Sequence, residues 1–425
     1  MKVVIMAGGK GTRISSVASD IPKPMIRVAD KPILEHQIEC LKNQGFRDII
    51  MIVGHLGWII RDYFKDGKEF GVNIEYFQEE EPLGSAGGLF YFKDELKDDD
   101  FLLMNGDIIF DVNLSRFIQF HKKNNALASL MAHPNSHPYD SALLVTNSDH
   151  RVINWLHKED ERTIYKNRVN AGIHILSPEL LEKITEPKKY DLDRDILKPL
   201  VSSERLYAYD TPEYIKDMGT PERYQIVCND FESGKVSAKN LINRQRAIFL
   251  DRDGTINEYV GFVTKPEQIR LIDKVAEAIK IINESGYLAI VISNQPVIAR
   301  GDCTVEELAN IHMMLETELG KRGAYLDAIY YCPHHPDKGF EGEIKELKFD
   351  CECRKPKPGM LLQAAKDYNI DLSKSYMVGD SKADIEAGIA AGCISILVGN
   401  TEAGTDCKNY ANLFEFTDDF FNEER

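Results

Sequence analysis

Short apolar runs alternate with amphipathic stretches along the first half of the chain. KVVIMA (2–7), DIIMIVG (48–54), FLLMNGD (101–107) and NAGIHIL (170–176) are separated by segments such as KPILEHQIECLKNQG (31–45). Apolar runs bounded by turn residues read as buried strands, and apolar positions three and four apart read as one face of a helix. This rhythm predicts an α/β domain with a largely parallel sheet. It pauses at ESGKVSAKNLINRQ (232–245), which is polar and rich in turn residues. It restarts with RAIFLDRDGT (246–255), the helical DKVAEAIKIINESG (273–286), the strand YLAIVISNQ (287–295), another helix and the strand SYMVGDS (375–381). The predicted division is a first α/β domain over 1–233, a linker over 234–245 and a second α/β domain over 246–425, whose last segment, FTDDFFNEER, reads as an acidic helix or a frayed tail.

Composition narrows the function classes. The chain has 425 residues, too many for one ordinary core, and 43% hydrophobic and 28% charged residues, which is globular composition. A net charge of −16 argues against nucleic acid as a partner, because that binding draws on clustered Lys and Arg. Small phosphorylated ligands need only a few local cations. No apolar run approaches a bilayer span, and the first apolar run leads directly into a glycine loop, so it reads as a strand and not as a signal peptide. The eight cysteines, of which Cys332, Cys351 and Cys353 lie close together, suit a reducing cytoplasm with one metal site. The expectation is a cytoplasmic protein with small-molecule substrates and no membrane partner; an oligomer is left open.

After the first strand comes Ala7-Gly8-Gly9-Lys10-Gly11-Thr12-Arg13. Its glycines let backbone N–H groups approach a phosphate, and the following helix N-terminus adds a favourable partial charge. It lacks the Gly-Lys-Ser/Thr of a P-loop and the third glycine of a dinucleotide fingerprint, and alone it reads as readily as a tight turn. Ile21-Pro22-Lys23-Pro24-Met25 follows, so that Lys10, Arg13 and Lys23 surround one loop. With Lys31-Pro32-Ile33-Leu34, this pattern resembles the sugar-1-phosphate nucleotidyltransferase family. The resemblance implies a Rossmann-like fold in which a sugar-1-phosphate oxygen attacks the α-phosphate of an NTP and pyrophosphate leaves. Such catalysis is mainly positioning and charge neutralisation. It implies Arg13 and Lys23 as catalytic cations, Gly8, Gly9, Gly11 and Thr12 at the nucleotide, and Gly84 and Ser85 in a base-binding loop, Pro82-Leu83-Gly84-Ser85-Ala86-Gly87-Gly88. Asp107 and Asp217 match the family's two metal-binding aspartates, a hard oxygen set suited to Mg²⁺. Asn170 and Gly172 match its sugar-contacting segment. Lys158 stands where the family has a sugar-phosphate lysine, but His157 replaces the preceding Glu, and Lys158 reads either as that ligand or as an exposed lysine. Asp193 stands near a position where relatives have Glu.

In the second half, Ile248-Phe249-Leu250-Asp251-Arg252-Asp253-Gly254-Thr255 brings two carboxylates, two residues apart, to the end of an apolar strand, both aimed the same way. A calcium loop also opens on Asp-x-Asp-Gly, but the buried strand upstream and the lack of Glu at the twelfth position argue against one. The segment resembles the haloacid-dehalogenase (HAD) phosphohydrolases. That implies Asp251 as nucleophile and Asp253 as general acid, since a departing sugar alkoxide must be protonated. Ser293-Asn294-Gln295, Arg354-Lys355-Pro356 and Val378-Gly379-Asp380-Ser381 follow in the family's order. They supply a hydroxyl and amide, cations, and a carboxylate that shares Mg²⁺ with Asp251 and the carbonyl of Asp253. Asp384 reads equally as a supporting carboxylate or a helix cap.

Cys332-Pro333-His334 and Cys351-Glu352-Cys353 offer three thiolates and one imidazole, a closed tetrahedral set expected to hold a structural Zn²⁺. His335 competes by spacing; the resemblance places the ligand at His334. A zinc loop in a HAD domain resembles the heptose-1,7-bisphosphate 7-phosphatases and the related histidinol phosphatases. The segment Asn294-Gln295-Pro296-Val297-Ile298-Ala299-Arg300-Gly301 is similar to the heptose branch's NQxGIARG, with Val297 where glycine is usual. This adds Arg300 to Ser293, Asn294, Arg354 and Lys355 as sugar-phosphate contacts. Removing the 7-phosphate from a heptose bisphosphate leaves a heptose 1-phosphate, the kind of substrate the first half would activate. The first half, including Asp20-Ile21-Pro22-Lys23-Pro24-Met25, resembles heptose-1-phosphate guanylyltransferases. The expected function is therefore NDP-heptose synthesis with GTP favoured, although no residue in the sequence distinguishes guanine from another base. Two rivals stay open: a different sugar nucleotidyltransferase fused to a histidinol-phosphate-like phosphatase, and one half acting as a non-catalytic binding module.

Overall fold

Each apolar run of the first half becomes a strand in the computed structural model, which describes residues 1–9, 20–399 and 407–423. β1 (Val3–Ala7) lies between β2 (Asp48–Val53) and β4 (Phe101–Asn105) in parallel register, and β2 pairs in parallel with β3 (Asn73–Gln78). The two faces of β1 and β2 are covered, so Val3, Val4, Ile5, Met51 and Ile52 are all buried. That is why these strands read as continuous apolar runs instead of alternating. β5 (Ile108–Asp111) turns away from β4, and β6 (Val169–Leu176) runs antiparallel to β4, making a mixed, mostly parallel sheet of nine strands. β7 (Tyr214–Asp217) pairs antiparallel with β5, placing Asp217 opposite Ile108.

Helix α1 (Ile33–Asn43) buries Ile33, Leu34, Gln37, Ile38 and Leu41 on one face. Its buried polar member is Gln37, whose Nε2 donates to the carbonyls of Asn105 (2.9 Å) and Ile108 (2.8 Å). One side chain thus fixes both ends of the turn that carries Asp107.

The second half is a six-stranded, all-parallel sheet. Its centre is β8 (Ala247–Leu250), flanked by β9 (Leu288–Asn294) and β11 (Tyr376–Gly379); β10 (Ala328–Cys332) extends it beyond β9, and Ile394–Val398 and Lys408–Tyr410 beyond β11. The carboxyl ends of central parallel strands are where an open α/β sheet forms its crevice. Asp251, Ser293 and Asp380 all fall at those ends.

The chain divides into two compact units: Met1–His133, Leu144–Trp155 and Asn170–Asn240 form one, and Pro134–Leu143, Leu156–Val169 and Leu241–Arg425 the other. Two details differ from the sequence reading. The segment 234–245, expected as a linker, contains a helical turn, Lys235–Ala238, with Val236 buried among Ile26, Tyr214, Met218 and Val227; the chain changes unit between Asn240 and Leu241. The stretches 134–143 and 156–169, expected in the first domain, belong to the second unit. There Arg168 Nη1 meets Glu316 Oε1 at 2.9 Å with both side chains 4% exposed, its Nη2 donates to the Asp327 carbonyl (3.0 Å), and Tyr165 N donates to Thr317 Oγ1 (2.9 Å). A buried ion pair between residues so far apart in sequence leaves no periodicity to read. Among the described residues no helix is long and apolar enough to cross a membrane.

Candidate active sites and metal centre

At the carboxyl end of the second sheet, Lys355 is the hub. Its Nζ is 2.7 Å from Asp251 Oδ1, 2.5 Å from Asp384 Oδ1 and 2.7 Å from the Ile292 carbonyl, and the side chain is 3% exposed. Burial opposes the ammonium, but the two carboxylates outweigh it and its pKa is raised. Burial pushes Asp251 up to about 7, Lys355 pulling down and Asp384 pushing up; burial and Asp384 raise Asp380 to about 6. Oxygens of Asp251, Asp380 and Asp384 all lie within 4.8 Å of one another. Three hard carboxylates converging on one point fit a divalent cation, which would relieve their mutual repulsion.

Asp384 proves to be both things the sequence allowed. It stands at the third position of the helix Lys382–Ala391, accepts from Ser381 N (3.0 Å) and Oγ (2.6 Å) in a capping box, and also reaches Lys355. Gly254, at φ +85°, is required by the same packing, since a Cβ there would lie 2.0 Å from Asp380 Oδ2.

Asp253 is oriented from three sides. Arg252 Nη2 donates to its Oδ2 (2.7 Å), Asn257 Nδ2 to its Oδ1 (2.9 Å) and Gln295 Nε2 to its Oδ2 (3.1 Å). Gln295 also donates to Ser293 Oγ (2.8 Å), tying the hydroxyl to the acid. Asn294 and Lys355 exchange hydrogen bonds, Asn294 Nδ2 to the Lys355 carbonyl and Lys355 N to Asn294 Oδ1, each 3.0 Å. The structure therefore brings Asp251, Asp253, Ser293, Asn294, Lys355 and Asp380 together. Arg300 instead lies between the rings of Phe262 (4.6 Å) and Phe340 (4.2 Å) and pairs with Asp302. Arg252, Asn257 and Gln295 were not singled out as supports of the acid; only the Asp-Arg-Asp and Ser-Asn-Gln adjacencies hinted at two of them.

Cys332, His334, Cys351 and Cys353 converge as a four-donor cluster. Cys332 Sγ is 3.5 Å from Cys351 Sγ, Cys353 Sγ is 3.3 Å from both, and His334 Nδ1 is 3.2 Å from Cys353 Sγ. No disulfide joins them. His334 is the imidazole of the set, while His335 turns to the Asp337 backbone N–H. The donors fit zinc, and Arg354 Nη1 donates to the His334 carbonyl (3.3 Å), so the cluster also fixes that cation.

In the first unit a cavity of about 470 Å³ is lined by residues including Gly8, Gly9, Lys23, Gly84, Ser85, Asn105 and Asp107. Lys23 pairs with Asp107. Burial opposes the charge of Asp217, but Arg223, at 2.9 Å, and the Gly219 N–H, at 2.7 Å, hold its pKa low. Lys23 adds to that effect, so it faces both aspartates. Gly84, at φ +76°, sits where a Cβ would meet the Tyr190 carbonyl at 2.3 Å, and Ser85 Oγ accepts from Leu192 N (2.8 Å). Asn170 Nδ2 reaches Asp193 (3.3 Å) while its Oδ1 accepts from Gly172 N (3.2 Å). Burial, with Asp191 nearby, raises Asp193 to about 6. Lys158 is exposed in a turn of the segment 156–169. Gly11, Thr12 and Arg13 lie outside the described residues. The sequence reading passed over Glu79, which lines the cavity and is 9% exposed.

Comparison with known proteins agrees with this two-part picture. The Nucleotidyl transferase family model matches residues 2–233, and the HAD-hydrolase-like family model matches residues 352–415. The D-glycero-beta-D-manno-heptose-1,7-bisphosphate 7-phosphatase of Yersinia pestis is 46% identical over 145 residues, 34% of this chain and 75% of that protein. The UTP–glucose-1-phosphate uridylyltransferase of Synechocystis sp. is 33% identical over 216 residues, 48% of this chain and 56% of its own length. The mannose-1-phosphate guanyltransferase of Saccharomyces cerevisiae is 32% identical over 251 residues, 58% of this chain and 67% of that protein.

Proposed function

Since the chain belongs to the nucleotidyl transferase family over its first half and carries a HAD-type phosphatase in its second, we propose that it performs two consecutive steps of nucleotide-sugar synthesis. The phosphatase removes the 7-phosphate of a heptose 1,7-bisphosphate, and the transferase then joins GMP from GTP to the resulting heptose 1-phosphate, releasing pyrophosphate. The observation that carries this reading is the Asp251–Lys355–Asp384 cluster beside an oriented Asp253, in a chain 46% identical over 145 residues to a heptose bisphosphate phosphatase.

In this reading the Asp251 carboxylate attacks phosphorus, the P–O bond to heptose C7 breaks, and Asp253 delivers a proton to the departing oxygen. Asp253 then takes a proton from the water that cleaves the aspartyl phosphate and regenerates Asp251. Lys355 neutralises charge at the nucleophile, Ser293 and Asn294 hold the phosphoryl oxygens, and Arg354 holds the sugar phosphate. Asp251, Asp380 and the Asp253 carbonyl would hold Mg²⁺, which would offset repulsion between carboxylate and phosphate dianion. Cys332, His334, Cys351 and Cys353 would hold a structural Zn²⁺.

In the transferase, the heptose 1-phosphate oxygen attacks the α-phosphorus and the bond to the β-phosphate oxygen breaks. Lys23 and Arg13 neutralise the phosphates, Gly8, Gly9, Gly11, Thr12, Gly84 and Ser85 hold the nucleotide, and Asn170 and Gly172 hold the sugar phosphate. Asp107, paired with Lys23, and Asp217, paired with Arg223, would supply ligands for Mg²⁺. The direct experiment is a crossed pair of variants. Asp251→Asn should abolish phosphate release and leave GTP-dependent transfer to heptose 1-phosphate within about twofold, with Asp107→Ala doing the reverse by about 10²-fold or more. Loss of both reactions in either folded variant would contradict two separate sites.

A further inference from the structure

We propose that Glu316, in the part of the chain read as the phosphatase, is a positioning residue for nucleotidyl transfer: through Arg168 it fixes the start of the strand that presents Asn170 and Gly172 to the sugar phosphate. The inference rests on the nucleotidyl-transfer reading of those two residues.

β6 begins directly after Arg168, and the chain passes from the second unit to the first between Val169 and Asn170. The residues just before that passage are held, within the second unit, to the helix Val305–Gly320 and its neighbours. Arg168 Nη1 donates to Glu316 Oε1 (2.9 Å) and to the Asn167 carbonyl (2.7 Å), and its Nη2 donates to the Asp327 carbonyl (3.0 Å). Asp327 is itself anchored, its Oδ2 accepting from Ala289 N in β9 (2.8 Å). One residue beyond Glu316, the buried Thr317 accepts from Tyr165 N (2.9 Å). Gly320 leaves room for the same tyrosine, since a Cβ there would stand 2.8 Å from Tyr165 Oη. Asn167, also buried, donates from Nδ2 to the Asn135 carbonyl (2.8 Å) and accepts at Oδ1 from Asn135 N (3.2 Å). Tyr165, Asn167 and Arg168 are each held before the strand starts.

A buried ion pair adds little net stability over apolar packing of the same volume, but a planar guanidinium set among three acceptors is held in one orientation. That suits placement more than stability. Only Val169 separates Arg168 from Asn170, so a displaced guanidinium carries the start of the strand with it. Asn170 is closely constrained in turn, its Oδ1 accepting from Gly172 N (3.2 Å) and its Nδ2 reaching Asp193 (3.3 Å). A misplacement of about 1 Å can cost a positioned reaction about 10²-fold. Glu316→Gln keeps the shape of the side chain and leaves the Arg168 cation buried without its counter-charge, which forces it to move.

The test measures pyrophosphate release from GTP and heptose 1-phosphate, and phosphate release from heptose 1,7-bisphosphate, on the full chain with Mg²⁺. In Glu316→Gln, KM for heptose 1-phosphate should rise about tenfold or more, while KM for GTP and both phosphatase constants stay within about twofold. A residue that only stabilises the fold would reduce the active fraction, lowering kcat of the phosphatase as well and leaving every KM in place. Arg168→Met should raise the same KM, and adding Glu316→Gln to it should change KM by less than about twofold, because the two act as one unit. An unchanged KM for heptose 1-phosphate in Glu316→Gln, or effects of the two substitutions that multiply, overturns the proposal. If Glu316→Gln does not fold, Thr317→Val takes its place: it keeps the volume, removes the acceptor of Tyr165 N and should raise that KM about threefold. No rise there overturns the proposal. If the unaltered chain makes no pyrophosphate from heptose 1-phosphate, the reading of the sugar fails by itself and hydrogen exchange decides the positioning. Amides of residues 169–172 should then exchange about tenfold faster in Glu316→Gln with those of β1 unchanged, and equal rates overturn the proposal.

Discussion

Replacing Lys355 with Met removes the one cation at the centre of three carboxylates and keeps most of the side-chain volume. At 2.7 Å from Asp251 and an effective dielectric of about 20, the gross attraction of one such pair is about 6 kcal/mol. Desolvation of the partners offsets part of it, and breaking a buried pair by removing one member costs about 3–5 kcal/mol, because the remaining charge stays buried without compensation. Asp384, at 0% exposure, has no way to reach water and loses most. The assay uses an asymmetry of the chain: its two tryptophans, Trp58 and Trp155, both lie in the first unit, whereas Lys355 lies in the second. Urea unfolding followed by circular dichroism should show the second unit's transition shifted down by about 2 M, for a slope of about 2 kcal/mol/M, while the tryptophan fluorescence transition stays in place. Mg²⁺ should restore more stability to the variant than to the unaltered chain, since a divalent cation replaces the missing charge, and phosphatase turnover should fall by about 10²-fold or more. A shift below about 0.5 M, with turnover intact, would refute the reasoning that Lys355 holds these carboxylates together.

Other outcomes follow from the same geometry. Gly254→Ala places a methyl 2.0 Å from Asp380 Oδ2 in a left-handed conformation, so phosphate release should drop by at least about 10²-fold with transfer unaffected, as separate colorimetric assays for phosphate and pyrophosphate would register. Cys351→Ser should release the zinc measured by atomic absorption, and with it order in the loop that holds Arg354, raising KM for the bisphosphate more than it lowers kcat. Asp193, raised from 3.8 to about 6 by burial, contributes stability below its unfolded value that is lost as pH rises through about 6. Asp193→Asn should therefore flatten the pH dependence of unfolding between about pH 4 and 6 and stabilise the first unit by about 3 kcal/mol at pH 7, read from tryptophan fluorescence.

Strand–helix rhythm made the architecture legible, because strands buried on both faces leave continuous apolar runs and Asp251 and Asp380 stand at the ends of two of them. The cluster of Cys332, His334, Cys351 and Cys353 was legible for a similar reason: closely spaced Cys and His are donor types that gather into one tetrahedral set. What the rhythm did not reveal depends on contacts distant in sequence. Arg168 joins Glu316, which carries residues 156–169 into the second unit, and Gln37 holds the Asp107 turn from a helix that otherwise reads as apolar packing. Glu79 stands in a run of three acids, Glu79-Glu80-Glu81, with nothing in the sequence to mark it, and the fold buries it alone of the three. Asp384 could not be assigned from sequence because capping and charge pairing require the same residue type, and the structure uses it for both.

Phosphorus NMR of the full chain with Mg²⁺, heptose 1,7-bisphosphate and each NTP in turn tests the two-step account most directly. The account predicts loss of the C7 phosphate resonance with one equivalent of inorganic phosphate, followed, with GTP, by pyrophosphate and the paired diphosphate signals of a GDP-sugar. Loss of the C1 phosphate, or pyrophosphate release without prior loss of the C7 phosphate, would contradict it.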